Sequence, residues 1–366
     1  MATVAMIAVV TAADAENTAT SAQARHPQHD TMPSNSASYR SEEVRFPNER
    51  GHVEIAGTLS APMGSGPFAA VLLIAAAGPE GRDEEVAGHR VFVVLADSLL
   101  RKGIAVLRYD KRGVGGSSGD LSTASFNDLV SDAAAAFRYL KVRPDIDQKR
   151  VGIIGHSEGG SIAPAVAAVD PDVAFVVAMA GSGLSGEVRI TEQQAYLARE
   201  GGASVDQQAA VRVLVQRIFR TVAETSGDAA AGARIAALID EAVKANTLSA
   251  ERASATRQLL TPIFVRQELK DDPLQYLKQV HVPVLALVGS LDRIVPAGPY
   301  VDAMRPVLKT IPGSEVRVLP GLNHVMQTAR TGSPQEFGTI EETIAPLALE
   351  TVDVWIAKQV HSASRK

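Results

Sequence analysis

The chain has 366 residues, 46% hydrophobic and 21% charged, a globular composition that supports a large buried core and excludes global disorder. A formal net charge of -5, with no stripe of grouped Lys or Arg, makes nucleic acid a poor candidate partner. The absence of cysteine removes a disulfide framework, a thiol nucleophile and a Cys-based zinc site, and leaves the redox compartment open.

Residues 1–10 form a short apolar run, and Thr11-Ala-Ala-Asp-Ala15 and Ser21-Ala-Gln-Ala24 offer Ala-x-Ala sites of the kind signal peptidases cut. The basic n-region of a signal is missing, so a secretory signal and a plain tail are both open, and with them a periplasmic or secreted and a cytoplasmic location. No apolar stretch reaches the ~18 residues of a membrane span, so no stable membrane insertion is expected. Residues 16–40, rich in Ser, Thr, Asn, Gln and His without periodicity, complete a flexible leader over 1–40.

From residue 41 the pattern changes. Short β-rich runs at 44–46, 52–59 and 69–74 precede a helical pattern over 85–102. A buried strand follows at 104–109, then a helix over 126–141, a strand at 151–154, a helix over 160–169 and a strand at 173–179. This alternation predicts an α/β fold with a mostly parallel central sheet flanked by helices, its first part spanning 41–183. Over 184–272 the strands disappear, and the stretches 207–222, 229–244 and 251–260 show helical apolar spacing, which predicts an inserted helical lid. The second part of the core, 273–366, brings strands at 284–288 and 315–319 and a closing helix over 344–360.

The pattern Gly155-His-Ser-Glu-Gly159 matches GxSxG, whose glycines permit a sharp strand-to-helix turn that projects the serine hydroxyl above the sheet edge. A second match, Gly115-Gly-Ser-Ser-Gly119, lacks a leading strand and a following helix and reads as a turn. Ser157, by contrast, follows the apolar run Val151-Gly-Ile-Ile154 and precedes a small-residue helix. It is the candidate nucleophile.

A serine hydroxyl needs a base to take its proton, and histidine titrates in the right range. Of the 8 histidines, His26, His29 and His361 lie in the leader or tail, and His52 and His89 precede the nucleophile strand. His156 sits on the elbow itself, as a supporting residue. His281 precedes a strand, the wrong end for a site at strand C-termini. His324, in the loop Pro320-Gly-Leu-Asn-His324 after a strand, remains as the candidate base. The carboxylate that would fix its tautomer is Asp292, in the loop Gly289-Ser-Leu-Asp292 after the apolar run 284–288. Asp271 and Asp272 more simply end the lid.

Backbone N–H donors for a developing oxyanion are expected at Glu158, the residue after the nucleophile, and at Ala77 or Gly78 in the loop after the third strand, with Ala77 the first choice. A poorly hydrated carboxylate at Glu158 calls for a cationic partner. Arg82 and Arg112 are the candidates, and Arg82 is expected to clamp Glu158 and so tie the oxyanion loop to the elbow.

Four segments, Ala77-Gly-Pro-Glu-Gly-Arg-Asp-Glu84, Leu107-Arg-Tyr-Asp-Lys-Arg-Gly-Val-Gly-Gly-Ser117, Gly155-His-Ser-Glu-Gly-Gly160 and Gly289-Ser-Leu-Asp292, together resemble the bacterial α/β-hydrolase carboxylesterases of the EstD-like group. The resemblance runs by motif order from about residue 45 to residue 358. It implies the α/β-hydrolase fold, hydrolysis of short acyl esters without cofactor or metal, and catalytic roles at Ser157, Asp292 and His324. Peptidases, thioesterases and lactonases share such cores, so the substrate has to be argued from the site. An aminopeptidase would need an acid to hold a free amine, for which Glu187, Glu192 or Glu200 could serve. A non-catalytic binding protein is the reading from another class, and the intact triad argues against it. The loop 113–119 does not satisfy GxGxxG spacing, which counts against a dinucleotide site.

Overall fold

The computed structural model describes residues 39–181, 183–270, 272 and 274–363. The signal-like segment lies outside the described residues. The expected leader over 1–40 runs too far: Tyr39 and Arg40 already belong to strand β1 (Tyr39–Asn48). Tyr39 is buried, and Arg40 donates to the carbonyls of Pro62 and Gly64 and pairs with Asp145 at 2.6 Å. These long-range anchors have no local signature.

β1 pairs antiparallel with β2 (Val53–Pro62), and β3 (Phe68–Ile74) follows. The helix expected over 85–102 begins late. Glu85–Val86 (β4) and His89–Arg90 (β5) pair instead as a two-stranded ribbon, turning through Ala87 and Gly88 at φ 51° and 90°, the left-handed geometry of a tight hairpin turn. Helix α1 then spans Val91–Arg101 and strand β6 Ala105–Tyr109. Helix α2 (Phe126–Lys141) starts at a capping box between Ser125 and Asp128 and has Arg138 and Lys141 in its last turn, favourable at both ends of the helix dipole. Strand β7 (Ile146–His156), helix α3 (Gly159–Val169) and strand β8 (Val176–Met179) continue the alternation.

Between β8 and β9 the chain forms a separate compact unit, residues 183–275. It contains α4 (Gly186–Glu200), α5 (Val205–Glu224), α6 (Asp228–Lys244), α7 (Ala250–Leu259) and α8 (Pro262–Glu268). Ser185, Ser204, Ser249 and Thr261 cap the starts of α4, α5, α7 and α8 by accepting a backbone N–H. Leu214, Ile218 and Val222 of α5 and Ile235 and Ile239 of α6 recur at helical spacing and are buried. The short helix α9 (Leu274–Leu277) leads to β9 (Val284–Gly289), α10 (Ala297–Leu308), β10 (Glu315–Leu319) and α11 (Pro346–Ala363).

The eight-stranded sheet has the order β1-β2-β6-β3-β7-β8-β9-β10. β2 is antiparallel to both neighbours, and every pair from β6 to β10 is parallel. Strand β3 is buried on both faces. Val71 and Leu73 join Phe92 and Leu95 of α1 and Trp355 and Ile356 of α11 in one cluster, so the alternating Leu72 and Ile74 face the other side, where α2 and α3 contact the strand. Each such fully buried side chain contributes about 1.5–3 kcal/mol. Parallel strands with helices on both faces bring their C-terminal ends to one sheet edge, where an α/β fold builds its site. Among the described residues no helix is long and apolar enough to cross a membrane.

Candidate active site

The turn from β7 into α3 is set by sterics. Ser157 has φ 52°, a left-handed conformation that costs a non-glycine residue energy. Its N–H donates to the Met179 carbonyl at 2.9 Å, fastening the turn to β8. The glycines around it admit nothing larger. A Cβ on Gly155 would lie 1.9 Å from the Gly159 carbonyl oxygen, and one on Gly159 would lie 2.0 Å from that of Ile74. One on Gly160 would lie 2.6 Å from the Gly181 Cα. The run Gly155-His-Ser-Glu-Gly-Gly160 is therefore what lets the strand, the turn and the helix share so little space.

The structure brings Ser157, His324 and Asp292 together. His324 Nε2 lies 3.1 Å from Ser157 Oγ, and His324 Nδ1 lies 2.9 Å from Asp292 Oδ2. Asp292 is buried, and its Oδ1 accepts the N–H groups of Ile294 at 2.8 Å and Val295 at 2.7 Å. A carboxylate only accepts, so this arrangement places a proton on Nδ1 and leaves Nε2 to accept from the serine hydroxyl. His324 and Asp292 both sit in loops after strands, β10 for His324 and β9 for Asp292.

His156 is buried directly behind His324, with the two ring centroids 5.1 Å apart. Its Nε2 lies 3.0 Å from the His324 carbonyl oxygen, and its Nδ1 lies 2.6 Å from Glu84 Oε1, which also accepts the Ala76 N–H at 2.9 Å. Burial disfavours the His156 cation, but the Glu84 charge and hydrogen bond, with the His324 carbonyl, outweigh it and push His156 up to about 9.

Glu158 has a cationic partner, but the expected clamp is corrected. Lys111 Nζ lies 2.8 Å from Glu158 Oε2 and also donates to the Ala76 carbonyl, so Lys111 joins the elbow to the loop after β3. Arg82 faces Asp110 instead, bonding both carboxylate oxygens at 3.1 and 2.7 Å, and reaches Glu43 and Thr58. Arg112 makes a two-pronged contact with Asp132 at 2.7 and 2.9 Å and donates to the Asp128 carbonyl. Burial alone would raise Asp110, but Arg82 and the N–H groups of Gly116 and Arg82 hold it below the usual carboxylate range. Arg108 pairs with Asp83. The two charged runs thus brace each other through Arg82 with Asp110 and Asp83 with Arg108, and brace the elbow through Lys111 with Glu158 and Glu84 with His156.

Ser117 of the second GxSxG match is built into this brace. Its hydroxyl donates to the Asp110 carbonyl at 2.7 Å and accepts the Ala56 N–H at 2.9 Å, and Gly113, Gly115 and Gly119 around it have positive φ. It is a structural turn, as its setting in the sequence implies.

In the loop after β3, Gly78 has φ 105°. The N–H groups of Ala77, Gly78 and Glu158 have no hydrogen-bond partner among the described residues, although Ala77 is buried, a rare condition for a backbone donor. Glu80 on the same loop is pushed up to about 7 by burial and then by the Glu84 charge. Sequence reasoning missed Lys111, Glu84 and Glu80. Lys111 carried a faint signal, since it lies just past the C-terminal end of β6, the level of the sheet at which the site is built.

The family model described as "Serine aminopeptidase, S33" (Hydrolase_4) matches residues 88–328. The chain belongs to this family. This α/β hydrolase is 37% identical to esterase EstD of Thermotoga maritima over 111 residues, 30% of the chain and 26% of the relative. It is 38% identical to thiohydrolase apmlB of Arthrinium phaeospermum over 81 residues, 21% of the chain and 25% of the relative. The chain thus spans about a quarter of the length of the curated relatives it matches. Solved structures share the fold at low identity. Est1E of Butyrivibrio proteoclasticus gives a TM-score of 0.51 at 15% identity, over 88% of this chain and 100% of that one. Esterase Pf2001 of Pyrococcus furiosus gives 0.52 at 15% identity, over 90% of this chain and 95% of that one.

Proposed function

We propose that this α/β hydrolase cleaves carboxylic esters, with short acyl chains preferred, through an acyl-enzyme on Ser157. The observation that carries the reading is the hydrogen-bonded series Ser157 Oγ, His324, Asp292 mounted on the elbow. Ser157 attacks the substrate carbonyl as His324 Nε2 takes its proton, and Asp292 holds the imidazolium that forms. The unpartnered N–H groups of Ala77 and Glu158, with Gly78 next in line, receive the oxyanion. His324 then protonates the departing alcohol. Water enters, His324 deprotonates it, and the ester bond to Ser157 is hydrolysed by the same steps in reverse. Choice of acyl and alcohol groups is assigned to the helices inserted after β8, since long insertions of this kind often carry specificity.

The family description favours a second reading, cleavage of an N-terminal peptide bond, and the apmlB relative raises thioesters. Of the three acids considered for binding a free amine, Glu192 is held by Arg212 at 2.9 Å and Glu200 is exposed. The deciding experiment is turnover of p-nitrophenyl esters from acetate to decanoate by wild type and Ser157→Ala, beside an aminoacyl p-nitroanilide and an acyl thioester. Short-ester turnover lost in the variant is expected. A protein that Ser157-directed fluorophosphonate labels but that turns over only the anilide or thioester would replace the ester reading.

A further inference from the structure

His156 and Glu84 have no part in the reaction just described, yet they form a deeply buried ionisable pair beside it. Both side chains are essentially inaccessible to solvent. Three pieces of the machinery meet there: the loop after β3 through the Ala76 N–H, the elbow through His156, which adjoins Ser157, and the base loop through the His324 carbonyl. Glu84 is held at φ 49°, a strained position for a residue with a side chain and one that persists only where the surroundings over-determine it. Its Oε2 has no partner among the described residues, so the whole of its hydrogen bonding is spent on Ala76 and His156.

The protonation state follows from the acceptors. A backbone carbonyl can only accept, so the 3.0 Å contact to His324 requires a hydrogen on His156 Nε2. Glu84 Oε1 also accepts the Ala76 N–H, and with Glu84 as a carboxylate the 2.6 Å contact puts a hydrogen on Nδ1 as well. We propose that His156 is a positioning residue protonated at neutral pH: an imidazolium, locked by Glu84, that grips the backbone carbonyl of His324 and sets the base against Ser157. The other charged groups around it are Glu80 and Asp292, both acidic and both favouring the cation, while Lys111 is engaged by Glu158 and the Ala76 carbonyl. The neutral alternative moves one proton onto Glu84 and leaves Nδ1 as an acceptor.

The proposal rests on the Ser157–His324–Asp292 reading, and its test separates the two. Nitrogen NMR of the full chain labelled with ring-¹⁵N histidine is expected to show, at about pH 8, a histidine ring with both nitrogens protonated. His156→Gln should remove that signal, and Glu84→Gln should convert it to a neutral ring. A neutral His156 in the wild type, or a proton on Glu84, would overturn the imidazolium. In ester turnover Glu84→Gln is expected to lower kcat by up to about 100-fold with KM little changed, the effect of a base displaced by about 1 Å. The rate of Ser157 labelling by a fluorophosphonate should fall in parallel, and Glu84→Asp should recover less than wild type but more than Gln. Unchanged kcat and labelling in a folded Glu84→Gln would overturn the positioning role. Failure of the wild type to label at all would instead remove the triad reading, leaving the NMR result to stand alone. Should both variants fail to fold, the wild-type spectrum still decides the charge.

Discussion

The charge pairs beneath the candidate site are buried, whereas those of the helical unit, Arg189 with Glu268 apart, are more open to solvent. In the sheet-containing unit Arg112 and Asp132 have side chains only 8% and 1% exposed, and Lys111 and Glu158 join segments 47 residues apart. In the helical unit Arg217 and Glu241 have side chains 45% and 61% exposed, and Arg257 and Asp240 are similarly open. Desolvated charges depend on their partners, because removing one leaves the other buried and unpaired. Solvated pairs gain little over hydration and are screened by salt. A reader of charge pairs should therefore expect the first group to define the site and the second to decorate a surface.

The largest effect separates the site from both groups. Ser157→Ala should lower ester kcat by at least about 10⁴-fold, since a nucleophile's removal disables the unit it belongs to, while the denaturation midpoint stays near that of wild type. A variant retaining more than a small fraction of the rate would place the reaction elsewhere.

Next comes the brace. Asp132→Ala should cost about 3–5 kcal/mol of stability, read from chemical denaturation, because the buried Arg112 loses both contacts with the buried Asp132 carboxylate and keeps only the longer carboxylate contact, to Asp128 at 3.6 Å. Asp132 also receives the Asn48 amide at 2.7 Å, which ties β1 to α2. A loss below about 1 kcal/mol would mean that Arg112 rehydrates on its own and that the pair is no different from a surface one.

pH tests the buried site more gently. His156 is raised from its ordinary 6.5 to about 9 and Glu80 from 4.5 to about 7. In both, the folded state binds its proton more tightly than the unfolded chain does. The stability each contributes is complete below its ordinary value and is lost as pH rises through its folded one. The denaturation midpoint should therefore decline as pH rises from about 4.5 to about 9, with Glu80 carrying the lower half of the window and His156 the upper. Glu80→Gln should flatten the lower half and leave the upper. A midpoint rising over the upper half would mean that His156 is neutral in the folded protein.

Much of this was legible beforehand, and the boundary is instructive. Strand-helix alternation, the elbow and the loops carrying Asp292 and His324 announce themselves because local constraints write them: glycines where no Cβ fits, apolar runs where both strand faces are covered. The partner of Glu158 was not legible. Lys111 and Arg112 are adjacent, and which of them turns toward the elbow depends on the path of the chain after Tyr109, fixed by Asp110 with Arg82 and by Asp132 with Arg112. The ribbon of β4 and β5 has a helix-compatible sequence, because Glu85, Val86 and Arg90 suit either state, and the Ala87-Gly88 turn decides for the hairpin. Glu84 stood among four consecutive charged residues, with nothing local to mark it as the one buried against His156.

The smallest effect completes the comparison. Arg217 reaches Glu241 from α5 to α6 at 3.0 Å, the same kind of contact by distance as Arg112 with Asp132, and hydrogen bonding to Arg217 holds Glu241 below its ordinary range. Distance is not what distinguishes them. Both side chains remain open to solvent, so Arg217→Ala should leave the denaturation midpoint and ester turnover indistinguishable from wild type at moderate salt. A clear loss of stability would show that the α5–α6 contact depends on this pair, and that the helical unit, like the sheet, relies on specific charges rather than on its apolar faces.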